Sequence, residues 1–132
     1  MITTFLAVIL VALPENQGQK QSSSYYTIPL EAVRQSNPVK PGAESIARGK
    51  KRYQFDCALC HGENGDGKGD TAKEMKLNVG DFKQRSTLRD RTDGELFYII
   101  KNGKGRMPAE GARVKAEEIW DLVNYVRSLA QK

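Results

Sequence analysis

The chain has 132 residues, with 21 Lys and Arg against 16 Asp and Glu, a net charge of +5, two cysteines and one histidine. That length is one domain with at most an appendage. Too few Cys and His are present for a four-ligand Cys/His zinc site, and the carboxylates are scattered with only His61 available to partner a catalytic serine.

In chain order, residues 1–13 carry no charge and are mostly apolar over 5–13, the pattern of a signal-peptide core, although the first basic residue is Lys20. The run is too short to cross a bilayer comfortably, so export is expected, with Ala12 as the cleavage point. Membrane association would come only through residues 1–13. Residues 14–41 form a polar leader or linker, in which Gln17, Gln19, Gln21 and Ser22 to Ser24 give way to Pro29, Asn37, Pro38 and Pro41. The plain expectation is a mobile tether; Tyr25, Tyr26, Ile28, Leu30 and Val33 are apolar enough for the alternative, an arm lying along the domain surface or over part of a cofactor, with the folded domain itself expected to span residues 42–132.

Ile46, Gly49, Tyr53 and Cys57 recur at helical spacing and predict a helix over 44–58. Gly49 costs such a helix roughly 1 kcal/mol relative to Ala, so it marks a close approach by another backbone, expected to be the last helix. At the end of this helix Cys57, Ala58, Leu59, Cys60 and His61 form C-x-x-C-H. Two thiols three positions apart, with an imidazole directly after the second, are what a chain needs to hold a haem: each thiolate adds to one vinyl group and the histidine reaches the iron from the same face. A thioredoxin-like dithiol would follow a strand, whereas residues 50–54 are a basic helical run. A disulfide would leave His61 without a role. One covalent haem c, with its iron, is the expected cofactor.

Residues 62–70 are rich in glycine. Gly62, Gly67 and Lys68 match part of a phosphate loop, but Gly69 stands where Ser or Thr is needed; as a calcium loop the segment would place Lys68 at a ligand position. The simpler expectation is a loop bent at Gly62, Gly65, Gly67 and Gly69 and pressed against a flat ring. Farther on, Thr92 and Glu95 form a capping box, Leu96, Ile99 and Ile100 a buried stripe, and Gly103 a stop. Residues 117–130 carry Ile119, Leu122, Val123, Val126 and Leu129 on one face, with Glu117 and Glu118 in the first turn and Arg127 near the end. Trp120 and Tyr125 are expected as core aromatics. No period-2 run is long enough to be a strand, so the fold class is all-α.

A lone histidine excludes bis-histidine ligation. Met75 and Met107 are the thioether candidates for a second axial position. Met107 is favoured, because Gly105, Arg106, Met107 and Pro108 make a proline-stiffened loop past a helix end; Met75, in the pattern Met75, Leu77, Val79, is expected as core filler. An open or lysine-filled position is the remaining alternative.

The residues Ala47 to Lys50, Tyr53, Cys57 to Gly62, Asp81, Phe82, the segment 91–103, Met107, Pro108 and the segment 119–129 together resemble a class I mono-haem cytochrome c of the small bacterial periplasmic type. The resemblance implies three main helices plus irregular loops wrapped around one haem, held by Cys57, Cys60, His61 and Met107, with the first and last helices crossing at Gly49, Tyr53, Leu122 and Tyr125. It also implies that a carbonyl after the glycine loop accepts from the far nitrogen of His61. This chain departs from the family at Asp70, where many relatives have proline, and at Val79 and Gly80.

The function expected is one-electron transfer by a monomeric periplasmic or otherwise exported carrier, not an enzyme. Its alternatives are a gas sensor or peroxidatic protein with a labile sixth ligand, and a cytochrome subunit docked on a membrane oxidoreductase. Basic side chains crowd residues 83–91 and 101–106, which fits redox protein partners with acidic docking surfaces and, without a reading helix or stacking platform, not nucleic acid. From residue 43 onward Leu, Ile, Val and Phe make up 17 of 90 residues, near the level at which a chain lacks the apolar surface to fold unaided. A haem-free Cys57→Ser, Cys60→Ser variant is therefore expected to be largely unfolded; a native helical circular dichroism signal would contradict this.

Overall fold

A computed structural model of the chain describes residues 26–130, and the expectations for residues 1–25 lie outside them. Among the described residues the secondary structure is helical with no strand: α1 (Leu30–Val33), α2 (Ala43–Asp56), α3 (Ala58–His61), α4 (Asp70–Glu74), α5 (Arg85–Leu88), α6 (Asp93–Asn102) and α7 (Ala116–Ser128). The three long helices are those expected from the apolar periodicity, and the fold class is all-α.

Helices α2 and α7 cross at Gly49. A Cβ there would lie 2.1 Å from the Asp121 carbonyl oxygen, so the glycine is required by backbone contact, as its place in mid-helix predicted. One turn on, the Tyr53 ring meets Tyr125 edge-on, with centroids 5.1 Å apart. Around this crossing the core collects Leu96, Phe97, Ile119, Trp120, Leu122, Val123 and Val126, with Phe97 stacked on Trp120 at 4.1 Å.

Helix α7 is more deeply enclosed than a one-sided amphipathic stripe requires: every residue from Ile119 to Val126 is buried, Asp121 and Asn124 included. Their polar groups are satisfied. Ser45 Oγ donates to Asp121 at 2.6 Å and Arg48 Nε at 2.8 Å, while Asn124 donates to Ser45 Oγ and to the Val39 carbonyl and accepts from Asn37 Nδ2 at 2.8 Å. Two of these partners, Asn37 and Val39, belong to the leader, whose described part folds back over α6 and α7. A Cβ on Gly94 would meet the Ala32 carbonyl oxygen at 1.9 Å, and Thr92 Oγ1 donates to the Val33 carbonyl at 2.8 Å.

Helix α6 begins as its sequence dictates, with the Thr92 hydroxyl accepting from Glu95 N–H and the Glu95 carboxylate accepting from Thr92 N–H. These bonds, with Arg91 beside the carboxylate, hold Glu95 below the usual carboxylate range. Two expectations are corrected. The first helix stops at Asp56, and Cys57 separates it from the single turn α3. Met75 is not core filler: it caps α4 with 42% of its surface exposed, because α4 ends there and Leu77, not Met75, follows the chain back toward the domain.

Gly49→Ala gains helix propensity worth about 1 kcal/mol but forces two backbones apart. A net loss of about 1–2 kcal/mol in denaturant unfolding is expected, since overpacking costs of order 1–3 kcal/mol; unchanged stability would contradict the contact.

Candidate functional site

Between the α2–α3 segment and the loop after α6 lies a groove of about 530 Å³, lined by Cys57, Cys60, His61, Val79, Met107 and Glu110 among others. An adjoining cavity of about 290 Å³ shares Cys57, His61, Val79 and Met107 with it and runs inward to Phe82, Leu96, Ile100, Leu122 and Val126. The structure thus brings Cys57, Cys60, His61 and Met107 to one cleft, and leaves Met75 off it. Protein interiors are close-packed, and an apolar cavity of this size inside a small core is costly unless something fills it. A flat apolar group that takes thiol, imidazole and thioether donors fits both the walls and the side chains present.

Local structure fixes each donor. The Cys57 N–H still bonds the Tyr53 carbonyl at 2.9 Å, and Cys60 and His61 N–H both turn back to the Cys57 carbonyl, so one tight turn carries both thiols and the imidazole. Burial, with Glu110 and Asp56 adding to it, pushes the Cys57 thiol up to about 12. Burial also pushes His61 below its ordinary value, the direction that favours the neutral imidazole. The ring stacks on Phe82 with centroids 4.8 Å apart. Its Nδ1 is buried with no hydrogen-bond partner among the described residues, where the family resemblance implied an accepting carbonyl. Beneath the motif, Tyr53 Oη donates to the Gly62 carbonyl at 2.8 Å.

The glycine loop does bend as expected, with Gly62, Gly65 and Gly67 at positive φ. At Gly69 and Gly67 it approaches backbone, where a Cβ would meet the Leu59 carbonyl oxygen at 2.2 Å and the Gly80 carbonyl oxygen at 2.4 Å, and at Gly65 the Leu129 side chain, at 2.6 Å. Asp70, at the proline position, opens α4 with its carboxylate 3.2 Å from Lys73 Nζ.

On the other segment, Met107 exchanges two backbone hydrogen bonds with Lys104, at 3.0 and 3.1 Å, closing a tight loop. Gly103, at φ +76°, lets that loop fold against the end of α6; a Cβ there would meet the Met107 carbonyl oxygen at 2.6 Å. Lys104 Nζ lies 5.5 Å above the Tyr26 ring, so the leader touches the methionine loop as well. Sequence reasoning missed Glu110, a buried carboxylate lining the groove; its spacing of three from Met107 and from Arg113 was the available clue.

Residues 44–126 match the family described as cytochrome c oxidase, cbb3-type, subunit III. Cytochrome c6 of Pyropia yezoensis is 33% identical over 68% of this chain and 76% of its own, and cytochrome c6 of Pyropia tenera 34% identical over 66% and 95%. The cbb3-type oxidase subunit CcoP of Azospirillum brasilense is 31% identical over 75% of this chain but 33% of its own. Among solved structures, a chain of the Kuenenia stuttgartiensis reducing HAO-like protein complex superposes with a TM-score of 0.63 at 28% identity; the match covers 71% of this chain and 47% of that one, about half its length. Cytochrome cL of Hyphomicrobium denitrificans shares the fold, with a TM-score of 0.52 at 22% identity over 78% of this chain and 64% of that one. The chain therefore belongs to the class I mono-haem cytochromes c, within the family of the cbb3-type oxidase subunit III, and is an electron-transfer domain whose cofactor is covalent haem c.

Proposed function

We propose that Cys57 and Cys60 hold the haem by two thioether bonds, that His61 and Met107 are its axial ligands, and that the protein is an exported one-electron carrier, not an enzyme. The observation that carries this reading is the meeting of all four side chains in one groove. Bound there, the haem supplies a one-electron couple at its iron. The chain's own part is to hold and orient. The His61 imidazole is fixed by Phe82 and by backbone bonds on both sides, its N–H to Cys57 and its carbonyl from Gly67. The Lys104 bridge and Pro108 fix the Met107 side chain, and the apolar stripes of α6 and α7 exclude water from the inner cavity. Were His61 and Met107 both to hold the iron, they would leave no position for a substrate.

Redox proteins with acidic surfaces are the partners this reading supplies. Lys104 and Arg106 line the mouth of the groove itself, and charge of one sign around a cleft raises encounter rates. Export rests on the apolar residues 5–13, and the carrier is taken as a monomer. Among the described residues no helix is long and apolar enough to cross a membrane. A second reading, a cytochrome docked on a membrane oxidoreductase, is favoured by the family match and by the CcoP relative.

Absorption spectra and the mass of the purified protein test the assignment. One covalent haem is expected, with the long-wavelength ferric band of methionine ligation and no carbon monoxide uptake by the ferrous protein at neutral pH. Met107→Ala should lose the band and bind carbon monoxide; ready uptake by the unaltered protein would reject the carrier. Tight copurification with a membrane complex would favour the second reading. Electron-transfer rates with an acidic partner should fall as salt rises, because exposed charges separated by more than about 10 Å are screened at 0.1 M.

A further inference from the structure

The loop that carries Met107 is joined to the segment that carries the cysteines by charge as well as by packing. Glu110, three residues past Met107, lines the groove with a side chain only 4% exposed. Its carboxylate accepts from Arg113 Nη2 at 2.5 Å, and Nη1 of the same guanidinium lies 3.4 Å from Asp56 Oδ1. Asp56 ends α2 directly before Cys57, its side chain is 11% exposed, and its other oxygen is 3.4 Å from Arg52. Arg113 therefore spans two nearly buried carboxylates, one on each side of the groove that Cys57 and Met107 share.

The backbone makes the link stiff. Glu110 N–H bonds the Ile100 carbonyl at 3.0 Å, and the Glu110 carbonyl accepts from both Arg113 and Val114, the latter buried in the core. Only Pro108 and Ala109 separate Met107 from this anchor. Exposed ion pairs hold little energy, and Arg113 itself is 60% exposed. A buried carboxylate stripped of its partner is another matter: the uncompensated charge moves toward water or takes up a proton. For Glu110 an outward swing would draw the methionine loop with it.

We propose that Arg113 is a positioning residue: by bridging Glu110 on the methionine loop and Asp56 beside the first cysteine, it sets how firmly Met107 resists displacement by an external ligand. This rests on Met107 being the axial ligand, as proposed above.

The test is titration of the ferric holoprotein with imidazole, read as loss of the long-wavelength methionine band, with denaturant unfolding measured in parallel. Arg113→Gln is expected to raise imidazole affinity about tenfold, equivalent to about 1.4 kcal/mol, and Arg113→Lys to recover part of the difference. An Arg113→Gln protein with unchanged imidazole affinity overturns the proposal, whatever happens to its stability. Should that variant yield no holoprotein, Glu110→Gln serves instead: higher imidazole affinity supports the clasp and unchanged affinity overturns it. Absence of the methionine band from the unaltered protein overturns both the ligand assignment and the clasp, whereas its presence with unaffected variants overturns the clasp alone.

Discussion

Everything in this fold depends on how closely α2 can approach α7. At Gly49 the distance is set by the Asp121 carbonyl, with Tyr125 Cβ close beside it. That contact places Tyr53 one turn later against Tyr125, and the Tyr53 hydroxyl in turn holds the Gly62 carbonyl just past the cysteine motif. The position of the thiols and the imidazole is thus inherited from a helix crossing two turns away. A small chain with a thin apolar core has few other ways to fix a site, because each packed layer must serve both as scaffold and as wall of the cofactor cleft.

Much of this was legible in the residues. Thr92 and Glu95 announce a helix start because their hydrogen bonds are local, and Gly49 stands out because a glycine in mid-helix is costly without a reason. The C-x-x-C-H run is legible for the same cause: thiols and imidazole must share one turn, so their spacing is written in the chain. Met107 could be singled out because Gly105 and Pro108 mark a stiffened loop past a helix end, and the structure places it on the groove that the cysteines line. What the residues hid depends on partners distant in sequence. Asp121 and Asn124 look like the solvent face of an amphipathic helix, and only Ser45, Arg48 and Asn37, more than 70 positions away, make them interior. Met75 misled in the opposite direction, since an apolar residue beside Leu77 and Val79 reads as core unless the end of α4 is known.

The glycine loop shows how one composition serves two geometries. Its bends were expected, and the positive φ values are there, but the crowding at Gly69 and Gly67 comes from Leu59 and Gly80. The loop is a spacer that sets α3 at a fixed height over the following segment. His61 then stands between Phe82 on one side and the groove on the other, with its Nδ1 unbonded.

Thr92 carries a consequence of a different kind. Its hydroxyl accepts from Glu95 N–H at the start of α6 and donates to the Val33 carbonyl of the arm, at 3.1 and 2.8 Å. A hydroxyl can accept and donate together, so the two contacts reinforce each other without competing. Release of the arm would therefore leave the capping box standing, while loss of the cap would release both. At this contact the helix start is independent of the arm, whereas the arm's other hold, Asn37 and Val39 on the buried Asn124, ties it to the core.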